Sequence, residues 1–282
     1  MADPDEILIQ HLGSARLDDL VEAQNRIFVD YLVPIRASRA FFIDFLKSVG
    51  GDLANVFVAL EGDNIVGYAT PVFDGREGWI GGIGILPRYR GKGIGTRLMA
   101  ESEKLLAEKG VTEVFLEVIE GNRRAQQLYE RLDYRPTKRL LCAEGKPVRF
   151  EGGETPVRST LADILPIHAV AYGDACWQRR KTDAVVQSAK GAEIYRLDGG
   201  FVMVRSVESS GFIPFLGVTP QDRRHGVGTS LARCALDRLR ELGAFKASVF
   251  NVTENETNLR LLDMFDFRVT MKQIEMRKTL KT

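Results

Sequence analysis

One short segment of the chain combines glycine and arginine in a pattern that could hold a phosphate. Residues 88–95 read RYRGKGIG, between the end of a predicted strand and the start of a predicted helix. At such a junction the free backbone N–H groups and the positive end of the helix dipole favour an anion. Glycine lets the backbone approach that anion closely and adopt conformations that other residues avoid. The candidate ligands are Arg90, Gly91, Lys92, Gly93, Ile94, Gly95 and Thr96.

Two other phosphate-binding patterns do not match this segment. A Walker loop would need glycine at Leu86 and serine or threonine at Gly93. The dinucleotide fingerprint Gly-x-Gly-x-x-Gly would need glycine at Thr96. The remaining alternative is a turn that uses glycine for its geometry alone, and a lone glycine-rich loop would favour that interpretation.

The pattern of glycine and arginine occurs a second time, because residues 223–228 read RRHGVG. An offset of 133 residues places Arg90 on Arg223. The same offset holds from Gly84 as far as Arg135. Since basic side chains recur together with the glycines, the pattern exceeds what a plain turn requires. Phosphate binding is therefore the favoured interpretation in both copies.

The repeat predicts two related domains. Nearer the start of each copy the offset becomes 144 residues, with Phe28 opposite Tyr172. The repeating unit is too long for a solenoid repeat and has the length of a complete domain. Residues 144–156 are rich in glycine, proline and charge, lack apolar periodicity, and are predicted to be a linker. The expected organisation is an N-terminal domain at 1–143, a linker at 144–156 and a C-terminal domain at 157–282.

Hydrophobic periodicity predicts the elements that must position the loops. In the first copy these are strands at 56–60, 65–70, 79–86 and 114–119, and helices at 94–109 and 123–131. The second copy repeats the order with strands at 201–205, 212–218 and 247–252, a helix carrying Leu231 and Leu242, and a helix at 256–264. Each copy is therefore predicted to be an α/β unit with a strand, glycine loop, helix, strand and helix at its centre.

Taken together, the motifs resemble the two signature segments of the GNAT superfamily of N-acetyltransferases. The first half carries the resemblance in IGILP at 83–87, in Arg90-x-x-Gly93-x-Gly95, and in Asn122-x-x-Ala125-x-x-Leu128-Tyr129-Glu130. The second half carries it in 216–218, in Arg223-x-x-Gly226-x-Gly228 and in Asn255, so nearly the whole chain is covered. The resemblance implies two tandem α/β domains, each a mixed, mostly antiparallel central sheet flanked by helices.

The same resemblance implies a coenzyme A site. In the family the glycine loop holds the pyrophosphate, and the strand before it splays from the next strand and accepts the pantetheine arm. Acetyl-CoA is thus the expected cofactor. The expected contacts in the first half are Ile83, Gly84, Ile85, Arg90, Gly91, Lys92, Gly93, Ile94, Gly95, Thr96 and Asn122, and in the second half Val218, Arg223, Arg224, Gly226, Gly228 and Thr229. An ordinary helix N-cap is the alternative role for Asn122, and both roles are compatible.

Acyl transfer from a thioester to an amine needs a neutral amine, a donor for the developing oxyanion and an acid for the departing thiolate. Tyr129 matches the family's general acid, with buried aromatic packing as the alternative. Glu117 resembles the proton acceptor of the ribosomal-protein alanine acetyltransferases, with a solvated side chain as the alternative. The expected oxyanion donor is a backbone N–H near Ile85.

In the second half, the offset places Phe250 opposite Glu117 and Leu262 opposite Tyr129. Neither side chain can move a proton. The second copy is therefore expected to be degenerate, with a structural, cofactor-holding or substrate-shaping role. An active second domain that uses Asp263 or water is the alternative.

Composition excludes several other classes of function. The formal net charge is only +1 at pH 7, which gives no electrostatic case for binding nucleic acid or a membrane surface. Cys142, Cys176 and Cys234 are odd in number and far apart, and no His-x-x-x-His pair occurs, so no disulfide or metal site is expected. No apolar run approaches the ~20 residues that span a bilayer, and a cytoplasmic location is expected.

The expected activity is acetylation of a primary amine, on a small molecule or a peptide, by direct attack on acetyl-CoA in the N-terminal half. A non-catalytic acyl-CoA sensor or scaffold, and catalysis by the C-terminal half, are the alternatives. The oligomeric state is not predicted. Aromatic residues at helical spacing are expected on the acceptor side or in the core: Phe28, Tyr31, Phe41, Phe42 and Phe45.

Overall fold

The computed structural model describes residues 7–13, 16–30, 36–150 and 152–280. The chain packs into two compact units, one formed by residues 1–137 with 274–282 and the other by residues 138–273. These units are defined by packing alone, so the division of the sequence into two domains and a linker stays a prediction.

The first unit contains a sheet flanked by helices. Its elements are β1 (Leu8–His11), α1 (Leu17–Ile27), α2 (Arg39–Ser48), β2 (Phe57–Glu61), β3 (Asn64–Asp74), β4 (Glu77–Ile85), α3 (Ile94–Glu108), β5 (Glu113–Ile119) and α4 (Arg123–Arg131). The strand order is β1-β2-β3-β4-β5. Neighbouring strands from β1 to β4 are antiparallel, and β4 and β5 are parallel. The predicted mixed, mostly antiparallel sheet is confirmed.

The second unit repeats this architecture. Its elements are β6 (Arg135–Gly145), β7 (Val157–Arg158), α5 (Leu161–Ala171), α6 (Lys181–Ala189), β8 (Glu193–Leu197), β9 (Gly200–Val207), β10 (Ser210–Val218), α7 (Val227–Glu241), β11 (Lys246–Thr253), α8 (Glu256–Met264) and β12 (Arg268–Thr279). The strand order is β6-β11-β10-β9-β8-β7. Strands β10 and β11 are parallel, like β4 and β5 of the first unit, and the pairs β6–β11, β9–β10, β8–β9 and β7–β8 are antiparallel.

The last strand of each repeat crosses from one unit to the other. Strand β6 begins in the first unit, and its residues 138–145 belong to the second, where they pair with β11. Strand β12 begins in the second unit and ends in the first, next to β5. There the Thr137 hydroxyl bonds Glu275 at 2.7 Å, and Arg277 pairs with Glu113 at 3.2 Å. Each unit is therefore completed by the final strand of the other repeat.

The parallel strands of each unit diverge after a short ladder. In the first unit the ladder covers Glu77–Trp79 of β4 and Glu113–Phe115 of β5, although both strands continue further. In the second unit it covers Ser210–Phe212 and Lys246–Ser248. In each unit the antiparallel ladder beside the parallel pair has a register shift near the point where the parallel strands separate. These ladders are β3 with β4 and β9 with β10. Because a bulge bends its strand, these shifts help to open a gap between the parallel strands.

The helix after the glycine loop is amphipathic in both units. In α3 the buried residues are Ile94, Leu98, Met99, Ser102 and Leu106, which recur at helical spacing. The predicted helix 94–109 is confirmed, and it ends where Gly110 adopts the left-handed conformation with φ 82°. No helix in the described ranges is long and apolar enough to cross a membrane.

Candidate active site

The glycine loop of the first unit presents its backbone to open space. Gly91 and Gly93 have φ angles of 81° and 79°, in the left-handed region that favours glycine. A Cβ atom at either position would meet nothing within 4 Å. Gly93 is the N-cap of α3 without a side chain that caps the helix, and the first turn contains no acidic residue. N–H groups at a helix start without a side-chain cap or an acidic residue in the first turn can bind a phosphate group.

The side chain of Arg90 holds the loop in place. Its Nε donates to the Ile85 carbonyl at 3.0 Å, and its Nη2 donates to the Ile27 carbonyl at 2.8 Å. Both terminal nitrogens also bond the Asp30 carboxylate, at 2.7 and 2.8 Å. These hydrogen bonds lower the pKa of Asp30. The guanidinium therefore ties the end of β4 to the end of α1.

The other predicted loop residues fall into two groups. Ile94 is buried beneath the first turn of α3, and a Cβ on Gly95 would lie 3.3 Å from Leu128 of α4. Thr96 is exposed at the helix start, and Lys92 lies with its Nζ 5.3 Å from the ring centre of Tyr89. The loop thus combines an apolar base with polar and basic groups on its outer side.

Beyond the parallel ladder, β4 carries the three residues predicted to meet the pantetheine arm. Ile83, Gly84 and Ile85 are all half-buried. Helix α1 approaches β4 closely here, since a Cβ on Gly84 would lie 2.4 Å from Ile27 and 3.1 Å from Phe28. Any larger residue at Gly84 would therefore displace α1 from the strand.

Glu117 is held by Trp79, which the sequence pattern predicts only as a strand residue. The indole Nε1 of Trp79 donates to Glu117 Oε2 at 2.6 Å. Trp79 pairs with Phe115 at the end of the parallel ladder, and Glu117 lies two residues further along β5. Residues two apart on a strand share a face, so the hydrogen bond spans the point where the strands separate. The ladder register would have revealed this pair, but the spacing of 38 residues gives no signal.

Tyr129 lies on the other side of β5. It is 5% exposed and packs in a core cluster with Ile80, Leu116 and Val118. Its ring meets Tyr134 edge-on, with the ring centres 6.1 Å apart. Asn122 is the N-cap of α4 and accepts a hydrogen bond from the Ala125 N–H at 3.2 Å. The expected helix cap is present, and it fixes the start of the helix that carries Tyr129.

The predicted aromatic residues surround two different groups. Phe28 and Phe42 are buried edge-on around Tyr68, with ring centres 6.4 and 6.5 Å from it. Phe45 lies 6.2 Å from the ring centre of Trp79, and Phe41 is 54% exposed. Tyr31 lies outside the described residues. Of this set, Phe45 is the one that approaches the Trp79–Glu117 pair.

The second unit keeps the backbone of the loop. Gly226 is the uncapped N-cap of α7, with φ 85° and no acidic residue in the first helical turn. Arg224 adopts φ 67° where the first unit has Gly91. Arg223 donates from Nε to the Val218 carbonyl at 3.1 Å, as Arg90 does to Ile85. The helix start is followed by Gly228 and Thr229, both half-buried.

The positions of the second unit that match Glu117 and Tyr129 hold the apolar residues Phe250 and Leu262. The rings of Phe250 and Phe212 stack with their centres 6.2 Å apart. Leu262 packs at the edge of the hydrophobic core. The two rings stand where the first unit has the Glu117–Trp79 hydrogen bond, so this place holds an apolar contact in one unit and a polar one in the other.

A polar bridge connects the diverging strands of the second unit. The Tyr172 hydroxyl donates to the Leu216 carbonyl at 2.8 Å and accepts from the Leu216 N–H at 3.1 Å. Arg179 donates from Nη2 to that hydroxyl at 3.0 Å and from Nη1 to the Phe250 carbonyl at 2.7 Å. This Tyr172–Arg179 bridge joins β10 to β11 beyond their ladder. The matching residue to Tyr172 in the first unit is Phe28, which has no hydroxyl to bond the strand.

No group of three or more His, Cys, Asp or Glu side chains in the described ranges is placed to hold a metal ion. In the described part of the chain no disulfide joins the three cysteines, of which Cys142 and Cys176 are buried and Cys234 is half-buried. Burial raises the pKa of the Cys142 thiol, and burial raises that of Cys234 to about 11. These thiols are therefore protonated at neutral pH.

Comparison with known families and proteins gives a consistent result. Residues 17–134 match the acetyltransferase (GNAT) family. An N-alpha-acetyltransferase from Saccharolobus solfataricus is 33% identical over 144 residues, which cover 46% of this chain and 82% of that protein. A thialysine N-epsilon-acetyltransferase from Bos taurus is 34% identical over 98 residues, but the chain spans just over half of that enzyme, 56% of its length.

Solved structures match the whole fold at low sequence identity. A GCN5-related N-acetyltransferase from Sphaerobacter thermophilus superposes with a TM-score of 0.78 at 15% identity, covering 100% of this chain and 98% of that one. A tandem GNAT protein from the clavulanic acid biosynthesis pathway superposes with a TM-score of 0.69 at 12% identity, covering 98% of this chain and 99% of that one.

Proposed function

The chain belongs to the GNAT acetyltransferase family and is an enzyme of acyl transfer to an amine, and we propose that it uses acetyl-CoA and catalyses the reaction in its N-terminal half. We further propose that it consists of two tandem GNAT domains, at 1–143 and 157–282, of which the second is degenerate. The acceptor class is a primary amine on a small molecule or a peptide.

One observation carries the assignment to the first half. Its diverging strands have a carboxylate, Glu117, on one side and a phenol, Tyr129, in the core on the other, and its glycine loop begins α3 without a capping side chain. The second half has a matching loop but neither proton-transfer group. Both relatives described above are named for amine acetylation, one of an alpha-amine and one of an epsilon-amine.

The residues of the first half would bind acetyl-CoA in three parts. The N–H groups at Gly93, Ile94 and Gly95 would hold the pyrophosphate, because they are uncapped at the positive end of α3. The edge of β4 from Ile83 to Ile85 would take the pantetheine arm, and a backbone N–H near Ile85 would stabilise the oxyanion. Arg90 would act by fixing the loop, since its guanidinium bonds Asp30 and two backbone carbonyls.

Proton transfer would then be divided between two side chains. Glu117 would take the proton that the amine must lose as its nitrogen bonds the acetyl carbon. Tyr129 would give its phenolic proton to the sulfur as the carbon–sulfur bond breaks. The amine attacks directly in this scheme, without a covalent enzyme intermediate, and Asn122 would keep Tyr129 in place by capping α4.

A role other than catalysis is favoured for the second half. Its loop retains the backbone geometry for an anion, but the Tyr172–Arg179 bridge already occupies the edges of β10 and β11 that a pantetheine arm would need. We therefore propose that this half stabilises the protein or shapes the acceptor site, with at most a weak hold on coenzyme A through Arg223, Arg224 and Gly226.

Release of free thiol from acetyl-CoA, measured with purified protein and a panel of amines, tests the proposal. The panel should contain peptides with free alpha-amines, lysine and thialysine as epsilon-amines, and small primary amines. We expect thiol release that depends on one class of amine and that falls strongly in Glu117→Gln and Tyr129→Phe. Binding of acetyl-CoA without turnover on any amine would instead favour a sensor.

A further inference from the structure

The hydrogen bond between Trp79 and Glu117 lies at the base of the gap in the first unit. The donor and acceptor are 2.6 Å apart, which is short for a nitrogen donor. Trp79 ends the ladder between β4 and β5, and Glu117 stands on the part of β5 that has already left it. The indole therefore reaches from the paired region to the side chain proposed to receive the amine proton.

The indole is fixed by its surroundings. Trp79 is 2% exposed. A Cβ on Gly81 would lie only 1.8 Å from the indole ring, so the ring covers the space above that glycine. On the same strand face Phe45 of α2 approaches, with its ring centre 6.2 Å from that of the indole. A buried donor packed in this way can turn only if its neighbours move, and it therefore restricts the orientation of the carboxylate.

The second unit provides a natural comparison. The offset of 133 residues places Phe212 on Trp79 and Phe250 on Glu117, and these two rings stack with centres 6.2 Å apart. The second unit therefore lacks both the donor and the acceptor of this hydrogen bond. It also has Leu262 at the position of Tyr129. A ring pair fits this position in the fold, which means that packing alone does not demand a tryptophan and a glutamate.

We propose that Trp79 is a positioning residue for catalysis, which holds the Glu117 carboxylate at the gap in the orientation that accepts the amine proton. This rests on the proposed function, in which Glu117 is the base. The step is balanced within that scheme: the attacking nitrogen loses one proton to a carboxylate oxygen of Glu117, while the indole keeps its own proton and donates a hydrogen bond throughout.

Trp79→Phe tests the proposal because it keeps a buried ring and removes the N–H. We expect the turnover number to fall about tenfold or more, with little change in the KM for acetyl-CoA. The acidic limb of the pH–rate profile should move to higher pH, since a donated hydrogen bond favours the ionised carboxylate. Looser packing that admitted water to Glu117 would instead favour its ionised form and move that limb to lower pH.

A double-mutant cycle separates positioning from an independent effect of Trp79. If the indole acts through Glu117, adding Trp79→Phe to Glu117→Gln should reduce turnover little beyond Glu117→Gln alone. Trp79→Phe combined with Glu117→Phe should fold, as the stacked pair in the second unit does, and should be inactive. If the fold-reductions in turnover of the two single variants multiply in the double variant Trp79→Phe/Glu117→Gln, the proposal is wrong. It is also wrong if Trp79→Phe leaves both the turnover number and the pH profile unchanged.

A measurement without substrate distinguishes failure of this proposal from failure of the proposed function. The chain has two tryptophans, so a ¹⁵N–¹H spectrum contains two indole N–H signals, assigned with Trp177→Phe. We expect the Trp79 signal to lie downfield and to move in Glu117→Gln, while the Trp177 signal stays. Trp177→Phe should also leave turnover unchanged and serves as the matched control. If the chemical shift of the Trp79 signal does not change in Glu117→Gln, the Trp79–Glu117 hydrogen bond is contradicted even in an active enzyme. If the protein acetylates no amine, the proposed function is contradicted instead.

Discussion

Tyr129 and Glu117 lie on opposite sides of strand β5. On β5 the buried residues Leu116 and Val118 alternate with the half-buried Glu117. Leu116 and Val118 pack in the cluster that contains Tyr129, whereas Glu117 turns to the side of Trp79. A period of two residues along the strand therefore separates the proposed acid from the proposed base.

The proposed acid can be tested at Tyr129. Tyr129→Phe removes the hydroxyl and keeps the ring that meets Tyr134, so the core should stay packed. We expect the turnover number to fall about 10²-fold or more, while acetyl-CoA affinity changes little. Steady-state rates and calorimetry measure the two effects. Tyr134→Phe is the matched control, because it removes a neighbouring buried hydroxyl and should leave turnover nearly intact. Full turnover in Tyr129→Phe would remove the residue from the mechanism.

The glycines at the two ends of α3 make it possible to distinguish an effect on the proposed anion site from an effect of backbone strain. Gly93 before the helix and Gly110 after it have φ angles of 79° and 82°, and a Cβ at either would meet open space. Alanine at each position should therefore cost a similar amount of stability, about 1 kcal/mol.

Only Gly93→Ala should weaken acetyl-CoA binding, by about tenfold or more, because its Cβ occupies the space that the pyrophosphate would approach. Calorimetry on both variants, with thermal melts for stability, provides the comparison. Equal affinities in Gly93→Ala and Gly110→Ala would show that the loop is a turn and not an anion site.

The start of β8 carries an ion pair whose contribution depends on pH. Glu193 accepts hydrogen bonds from Arg238 at 2.8 and 2.9 Å, and these bonds lower the pKa of Glu193 to about 2. A carboxyl with a depressed pKa in the folded state stabilises the fold at neutral pH, and this contribution is lost as the pH falls from 4.5 towards 2.

Glu193→Gln should lower the free energy of unfolding by on the order of 2 kcal/mol at pH 7, and by much less near pH 2. Urea unfolding at the two pH values measures the difference. Glu241→Gln is the matched control, because Glu241 bonds the same Arg238 at 2.9 Å but is more than half exposed. That change should cost about 0.5 kcal/mol or less. An equal loss from Glu193→Gln at both pH values would contradict the assignment.

The elements themselves could be predicted because their periodicity is local. The helices α4 and α8 begin and end at the predicted residues, and β5 differs from its prediction by one residue. Pairing partners cannot be predicted in this way, because a strand's apolar pattern does not name its neighbour. The pairing of β6 with β11, for example, does not follow from the apolar pattern of either strand. For the same reason the Trp79–Glu117 hydrogen bond was missed, since it depends on the register of two strands.

The whole molecule combines two similar backbones with different chemistry. Both units have diverging parallel strands and a left-handed glycine before a helix, at Gly93 and Gly226. The side chains beside the gap differ between the units. In the first unit Glu117 makes the gap polar, and in the second unit the Tyr172–Arg179 bridge closes it. The second unit forms the same sheet with Phe250 and Leu262 at the positions of Glu117 and Tyr129, so neither of these two side chains is needed to form the sheet.

This asymmetry predicts unequal effects of disabling each half. Tyr129→Phe should abolish most turnover, whereas Gly226→Glu should act mainly through stability or acceptor affinity. The glutamate places a negative charge at the second loop, where φ is 85° and a Cβ would meet open space. Gly243→Glu, at the far end of α7 with φ 77°, controls for strain and charge. If Gly226→Glu abolishes turnover in a folded protein while Tyr129→Phe is silent, the active half is the second.

The crossing of the last strands also has a consequence for biosynthesis. Residues 274–279 of β12 belong to the first unit, yet the ribosome makes them only after the whole second unit, residues 138–273, has been translated. The edge of β5 that pairs with β12 therefore stays unpaired in the nascent chain until residues 274–279 have been translated. Splitting the gene between the repeats would place each sheet and the strand that completes it on separate polypeptides, so each sheet could then be completed only by association of the two.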